Sequence, residues 1–221
     1  MIAALYGDGL GELSLIDYMG SDKRAVDAAR VSFLDDDTEE QDLNERDTRL
    51  LGFLIRERHT SPFEHTAITF RLKVPLYVRA QVMRHRTFSF NEVSRRYTSE
   101  SIDFHIPQTL RKQAETNLQC SKDESVDNAD KLLEVYRRST ARAFQEYQVL
   151  LDCGVAREQA RAILPQNMYT VFYMTGSLHN YIHFLRLRLD NHAQHETREL
   201  ASAMRDILRE LYPVTMEAVE L

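Results

Sequence analysis

Residues 84–97 read RHRTFSFNEVSRRY, with four arginines, a histidine and one carboxylate interleaved with Phe88, Phe90 and Tyr97. An arginine presents a planar fork of donors that matches a phosphate or carboxylate, and it stacks on flat rings. Ser94 with Arg95 and Arg96 supplies a hydroxyl and two forks, the parts of a phosphate site. Glu92 can neutralise an arginine or accept a hydrogen bond from a base imide. Arg84, His85 and Arg86 are expected at a helix end, where three consecutive residues splay around more than half the circumference. They cannot all serve one small anion, so two ligands, or one ligand and a neighbouring subunit, use them better. A solvated basic loop or a nucleic-acid patch is the alternative for this stretch alone.

A second constellation is SLHNYIHFLRLRLDNHAQHE, 177–196. His179 and His183 stand one helical turn apart, as do His192 and Glu196, a spacing that suits a metal. Asn180, however, occupies the place of the glutamate in H-E-x-x-H, and no metal is expected. Arg188 falls beside the apolar stripe of Leu178, Ile182, Leu185 and Leu189. A shielded guanidinium there needs an anionic partner. Arg186, two residues away, is expected on another face. Arg161, ahead of Pro165, reads equally as a ligand for an anion or as a surface charge. In HTSPFEH, 59–65, Ser61 suits an N-cap, Pro62 a first helical position and Glu64 the closing residue of a capping box. Such a helix start exposes backbone N–H groups to an anion.

Composition narrows the classes. The 221 residues suffice for one domain with a core, 1–221, and are short for two. Lysine fills only five of the 28 basic positions, so the basic side chains are overwhelmingly arginine. A formal net charge of -6 and a pI near 5.8 argue against a nucleic-acid-binding module, which the arginine-aromatic stretch by itself allows. No apolar run approaches the roughly 18 residues of a membrane span. The first residues lack the basic start of a signal peptide. Two cysteines, Cys120 and Cys153, fit free thiols in a reducing cytoplasm.

The elements that must position these residues follow from periodicity. Segments 2–6 and 12–18 read as short strands around GDGLG, which fails as a dinucleotide loop because Glu12 replaces the third glycine. A helix is expected over 22–33, an acidic solvated loop over 34–42, and a helix with Leu50, Leu51, Leu54 and Ile55 inward, ending near Arg58. TAITFRLKV, 66–74, is the clearest strand, with Ile68, Phe70, Leu72 and Val74 on one face and Pro75 at its end. A helix is expected over 76–86 and a short strand at 104–107. Residues 111–130 suggest a loop or ragged helix. Long helices are expected at 130–152, closed by Gly154, and from 177 onward, with a shorter one at 155–164. MYTVFYMTG, 168–176, reads as a strand. The sum is α+β, several helices around a small sheet.

Arg84-His85-Arg86, seven residues and then Ser94 resembles the R-H-R-x7-S signature of the flavin-dependent thymidylate synthases. HTSPFEH before a strand, SRRY, ARAILP and LRLRLDNHAQHE follow in the family's order, and the likeness covers roughly 15–105 and 150–215. The resemblance implies a small antiparallel sheet flanked by helices and a cytoplasmic homotetramer with active sites shared between subunits. It implies reductive methylation of dUMP to dTMP, with methylenetetrahydrofolate as carbon donor and FAD, recharged by NADPH, as hydride source. Carried over by position, dUMP binding falls on Gln81, Val82, Met83, Arg84, Glu92, Val93, Ser94, Arg95, Arg96, Arg161 and Arg188. Arg188 matches the arginine that stabilises the ionised uracil imide, the catalytic role. FAD binding falls on His59, Ser61, Glu64, Arg84, His85, Arg86, Glu92, Ser177, His179 and His183. The last three depart from relatives, which often carry Asn and Arg at 177 and 179 and Asn at 183. No cysteine nucleophile is implied.

Overall fold

A computed structural model describes residues 1–33, 42–116 and 119–221. Five strands form one antiparallel sheet in the order β1-β2-β3-β7-β4: β1 Ile2–Leu5, β2 Gly11–Met19, β3 Ala67–Pro75, β4 Ser89–Glu92 and β7 Tyr169–Gly176. The alternation in β3 sets which face is covered. Ile68, Phe70, Leu72 and Val74 are fully buried, and each is worth about 1.5–3 kcal/mol when so enclosed. On the opposite face Arg71 meets Glu12 at 2.9 Å, Lys73 meets Asp103 at 2.7 Å, and the Thr69 and Thr175 hydroxyls lie 2.9 Å apart. Cross-strand pairs of this kind set register more than they add stability.

The covered face receives α1 Asp22–Arg30, α2 Glu45–Arg56, α3 Leu76–Val82, α6 Leu178–Arg188, α7 His195–Leu211 and α8 Pro213–Ala218. In α7, Leu200, Met204, Ile207 and Leu208 recur at helical spacing and are buried, as an inward stripe requires. A smaller cluster, Tyr147, Ala160, Leu164 and Met168, joins α4 Ala129–Asp152 to α5 Arg157–Ala160. Gly154, at φ +82°, supplies the left-handed residue that closes α4.

Several expectations change. The helix expected over 76–86 stops at Val82, and residues 89–92 form a strand that the arginine-rich pattern concealed. Within 111–130 the expected loop or ragged helix gives way to two strands, β5 Arg111–Gln113 and β6 Ser121–Ser125, which pair antiparallel. Polar residues on both faces hid their alternation. At 104–107 there is no strand, only a single bridge from Phe104 to Met168. The helix over 22–33 closes in a 3-10 turn, Val31–Phe33. The helix at 155–164 is a short α5 followed by a 3-10 turn, Arg161–Ile163. The acidic stretch 34–42 lies outside the described residues except for Asp42.

Candidate active site

Sequence spacing put Arg84, His85 and Arg86 on a helix end; they stand instead in the turn after α3. The Met83 N–H donates to the Arg79 carbonyl at 3.0 Å, and the His85 N–H to that of Val82 at 3.1 Å. The turn separates the three side chains, with His85 buried and both arginines exposed. Phe88 anchors the far side, its ring 4.8 Å from that of Tyr181. It seats where Gly176 leaves room, since a Cβ at Gly176 would stand 2.5 Å from the Phe88 ring. The His85 ring meets Phe184 edge-on at 4.8 Å and faces His183 at 6.0 Å.

The centre of the site is Arg188. Its Nε donates to His85 Nε2 at 3.0 Å, and its Nη2 to the Gln81 carbonyl at 3.0 Å. The acceptor role of Nε2 places the His85 proton on Nδ1. Burial first, then the charges of Arg188 and His183, lowers the His85 pKa to about 4. The imidazole is neutral at physiological pH. Burial, then Arg84, also lowers the Arg188 pKa. The anionic partner expected for this shielded arginine is absent among the described residues: every protein group it touches is neutral. A guanidinium so placed is ready for an anion the protein does not supply.

Arg188, Gln81 and Arg186 line a cavity of about 360 Å³. Glu92, Ser94, Arg95, Arg96 and Arg161 line a separate one of about 590 Å³, together with Val93. His59 and His179 line a third of about 200 Å³. Ten of the sequence-predicted residues thus line three separate hollows, whereas Ser61, Glu64, Val82, Met83, Arg84, His85, Arg86, Ser177 and His183 line none of the three.

Within the second hollow the side chains differ in freedom. Glu92 accepts from Arg79 at 2.5 and 3.0 Å and from the Thr170 hydroxyl at 2.7 Å, so it does neutralise an arginine. Arg95 is buried and donates to the carbonyls of Glu100 at 2.5 Å and Ser101 at 3.1 Å. Burial lowers its pKa. Arg96, an exposed side chain, donates from Nε to Ser94 Oγ at 3.4 Å and from Nη2 to the Tyr97 hydroxyl at 3.3 Å. Arg161 is exposed. The fully buried side chain of Val82 packs in the main core, so only its backbone is available to a ligand; Met83 is half-buried against the same core.

The region 59–65 departs from the capping-box expectation. Ser61–Glu64 is one 3-10 turn whose cap position is Thr60, with no side-chain cap bond, and Thr60 Oγ1 donates to Glu64 Oε1 at 3.4 Å. Glu64 cannot reach back as a box partner in so short a turn. Ser61 and Glu64 are exposed. Ser177 is a true N-cap: its hydroxyl accepts from the Asn180 N–H at 3.4 Å and donates to Asn180 Oδ1 at 2.9 Å. That engagement leaves it little for a ligand. His183 is exposed beside His85. Among the described residues no group of three or more His, Cys, Asp or Glu side chains gathers as a metal site, and no helix is long and apolar enough to cross a membrane.

Sequence reasoning missed Arg79, Arg58 and Arg186. Arg186 is not on an irrelevant face, since it lines both the 360 and the 200 Å³ cavities. Its spacing from His179 and Ile182, seven and four residues, was the available signal. Arg79 grips Glu92 across a turn, and no local spacing announces that.

An antiparallel α+β fold carrying arginines without acidic partners beside a neutral imidazole is suited to hold anionic ligands. Relatives agree on the kind. The profile described as thymidylate synthase complementing protein matches residues 14–214. A flavin-dependent thymidylate synthase from Thermus thermophilus is 42% identical over 210 residues, covering 95% of this chain and 76% of that protein. One from Thermotoga neapolitana is 41% identical over 208 residues, covering 94% and 90%. Among solved structures, a UMP/dUMP methylase, PolB from Streptomyces cacaoi bound with 5-Br dUMP, superposes with a TM-score of 0.87 at 36% identity, covering 98% of this chain and 96% of that one. The chain belongs to the thymidylate synthase complementing protein family, whose members include the flavin-dependent thymidylate synthases.

The residues fit a flavin. Arg84 and Arg86 have no hydrogen-bond or ion-pair partner among the described residues, and the hollow bearing His59 and His179 contains no carboxylate. That donor set suits an anionic dinucleotide.

Proposed function

We propose that the chain, folded as one domain over 1–221, methylates dUMP reductively to dTMP in the cytoplasm. Methylenetetrahydrofolate gives the carbon and NADPH the reducing equivalents. FAD, when bound, supplies the hydride chemistry, and His59, Arg84, His85, Arg86 and His179 are the residues that would hold it. The observation that carries the reading is Arg188, a half-buried guanidinium with only neutral partners.

The uracil imide acquires negative charge when its N3 proton leaves, and the ring then becomes electron-rich at the carbon that accepts the one-carbon unit. A pre-positioned guanidinium facing that oxygen–nitrogen edge stabilises the anion without reorganising at the moment of reaction. His85 helps by remaining neutral. A protonated imidazole would repel Arg188, whereas the neutral ring accepts its Nε–H and fixes its plane. Gln81 holds the other end of the guanidinium through its carbonyl. Ser94, Arg96 and Arg161 supply a hydroxyl and two forks for the nucleotide phosphate.

These two sets, Arg188 with Gln81 and Ser94 with Arg161, line different cavities of one chain. A nucleotide that uses both suits a site completed by a second copy, and the assembly proposed is a homotetramer with shared active sites. The test uses purified protein with dUMP, methylenetetrahydrofolate and NADPH, with UMP as a comparison substrate. Flavin absorbance with dTMP formation and a tetrameric mass by light scattering are expected. Full activity in a monomer overturns the shared site, and flavin-free protein without dTMP formation overturns the reaction.

A further inference from the structure

The smallest of the three hollows lies between the end of α2 and α6 and has a volume of about 200 Å³. Leu54, Phe63 and Ile182 give it an apolar side, and Arg58, His59, His179 and Arg186 give it a basic one. Each of the other two hollows has a carboxylate in its wall, Asp190 in the 360 Å³ cavity and Glu92 with Glu158 in the 590 Å³ one. This one has none, in a chain whose net charge is -6. Neither the Arg58 nor the Arg186 guanidinium has a hydrogen-bond or ion-pair partner among the described residues.

The backbone adds an independent observation. Arg58 sits at φ +58°, in the left-handed region. Helix α2 ends with the His59 N–H donating to the Leu54 carbonyl at 2.8 Å and the Arg58 N–H to that of Ile55 at 3.2 Å. This is the Schellman arrangement, and Arg58 occupies the position that glycine ordinarily takes. A bulky residue there carries conformational strain. The strain is tolerated where the side chain does something that glycine cannot.

We infer that Arg58 and Arg186 form an oxyanion clamp for a flat aromatic ligand. They grip its phosphate or carboxylate while its ring lies on Leu54, Phe63 and Ile182. The inference rests on the proposed reaction for its choice of occupants: the carboxylate tail of the folate, or the phosphates of FAD or NADPH. The uridine nucleotide is not the occupant, because Ser94, Arg96 and Arg161 line another cavity.

Calorimetry on the full-length protein with FAD, NADPH and folate decides it, comparing wild type with Arg58→Gly and Arg186→Gln. At least one of the three probes should bind wild type and weaken about tenfold or more in each variant, as expected for losing one charge-assisted contact. The probe that weakens identifies the source of the anion. Affinity for dUMP should stay within about twofold in Arg58→Gly. The same variant should melt no lower than wild type, and about 2 °C higher if the strain is fully relieved. Unchanged affinity for all three probes in both variants overturns the clamp, as does wild type binding none of them. So does a loss in Arg58→Gly that accompanies a fall in melting temperature. If wild type makes no dTMP, the proposed reaction fails, and the isotherms still decide the clamp.

Discussion

Arg95 and Arg188 are both shielded from solvent, and both have their pKa lowered chiefly by burial. Neither is hydrogen-bonded or ion-paired to a carboxylate among the described residues. Arg95 is closed on itself, with two of its nitrogens donating to the carbonyls of Glu100 and Ser101 in the loop that follows it. Arg188 leans on a neutral ring and an amide from other elements and lines an open cavity. Elsewhere buried charge is matched with charge, as in Arg30 with Asp47 and Arg111 with Glu196. The difference separates a guanidinium that ties a loop from one that waits for an anion. Burial and pKa alone do not distinguish them; the identity of the partners does.

The strongest way to break the comparison is to remove Arg188. Losing a donor to a developing anion costs on the order of 3 kcal/mol, a hundredfold or more in rate. Arg188→Ala should therefore depress dTMP formation at least that much, while NADPH oxidation by the flavin-loaded protein falls only a few fold. Arg186 is no control, because it lines two of the three hollows; Arg142, paired with Glu146 on exposed α4, is one. Equal losses in Arg142→Ala and Arg188→Ala, or mere loss of flavin from Arg188→Ala, refute the assignment.

His85 gives the next largest effect, through pH. Its pKa in the folded protein is near 4, below the value of about 6.5 that the unfolded chain gives it. Between those values the unfolded state binds the extra proton, so stability falls as pH drops from about 6.5 toward 4. The full loss is at most about 3 kcal/mol. His85→Gln keeps an acceptor for Arg188 and removes the titration. Melting curves from pH 7.5 to 4.5 should show a shallower decline for the variant. Parallel curves for wild type and variant contradict the buried neutral imidazole.

Arg95 and Arg188 should also part in stability. Arg95→Ala leaves two carbonyls without their donors and frees the 95–101 loop, at a cost of about 2 kcal/mol, or roughly 4–8 °C in melting temperature. Arg188→Ala discards a desolvated charge that no counter-ion offsets, so its melting temperature should hold or rise. Differential scanning fluorimetry of the two variants side by side tests this. A larger drop for Arg188→Ala would mean that its role is architectural.

What the sequence disclosed, and what it hid, follows the same division between local pattern and distant partner. Strand β3, helix α7 and the stripe of α6 were legible because burial on one face imposes a period of 2.0 or 3.6. The hairpin β5–β6 was not, because both its faces are polar and Arg111 holds it to Glu196, 85 residues on. For the site, the kinds of residue were legible and their fates were not. Arg95 looked like a ligand in SRRY, yet its forks are largely committed to its own loop. Arg58 looked like a helix end, and only its positive φ and its acid-free surroundings single it out.

The smallest effect expected concerns the thiols. Cys120 sits beside the hairpin and its Sγ lies 3.0 Å from the His192 carbonyl, to which it can donate, while Cys153 caps α4 and is exposed. Neither lines the cavity that holds Arg188. Serine at 120 retains a donor for the His192 carbonyl, so the hairpin should stay where it is. The double variant Cys120→Ser, Cys153→Ser should keep turnover within about threefold, since a weak thiol hydrogen bond and an exposed side chain are all that change. Steady-state dTMP formation measures it, with circular dichroism confirming the fold. A drop of several orders of magnitude in a folded variant would place a sulfur nucleophile in the reaction. The imide charge at Arg188 would then no longer account for activating the uracil.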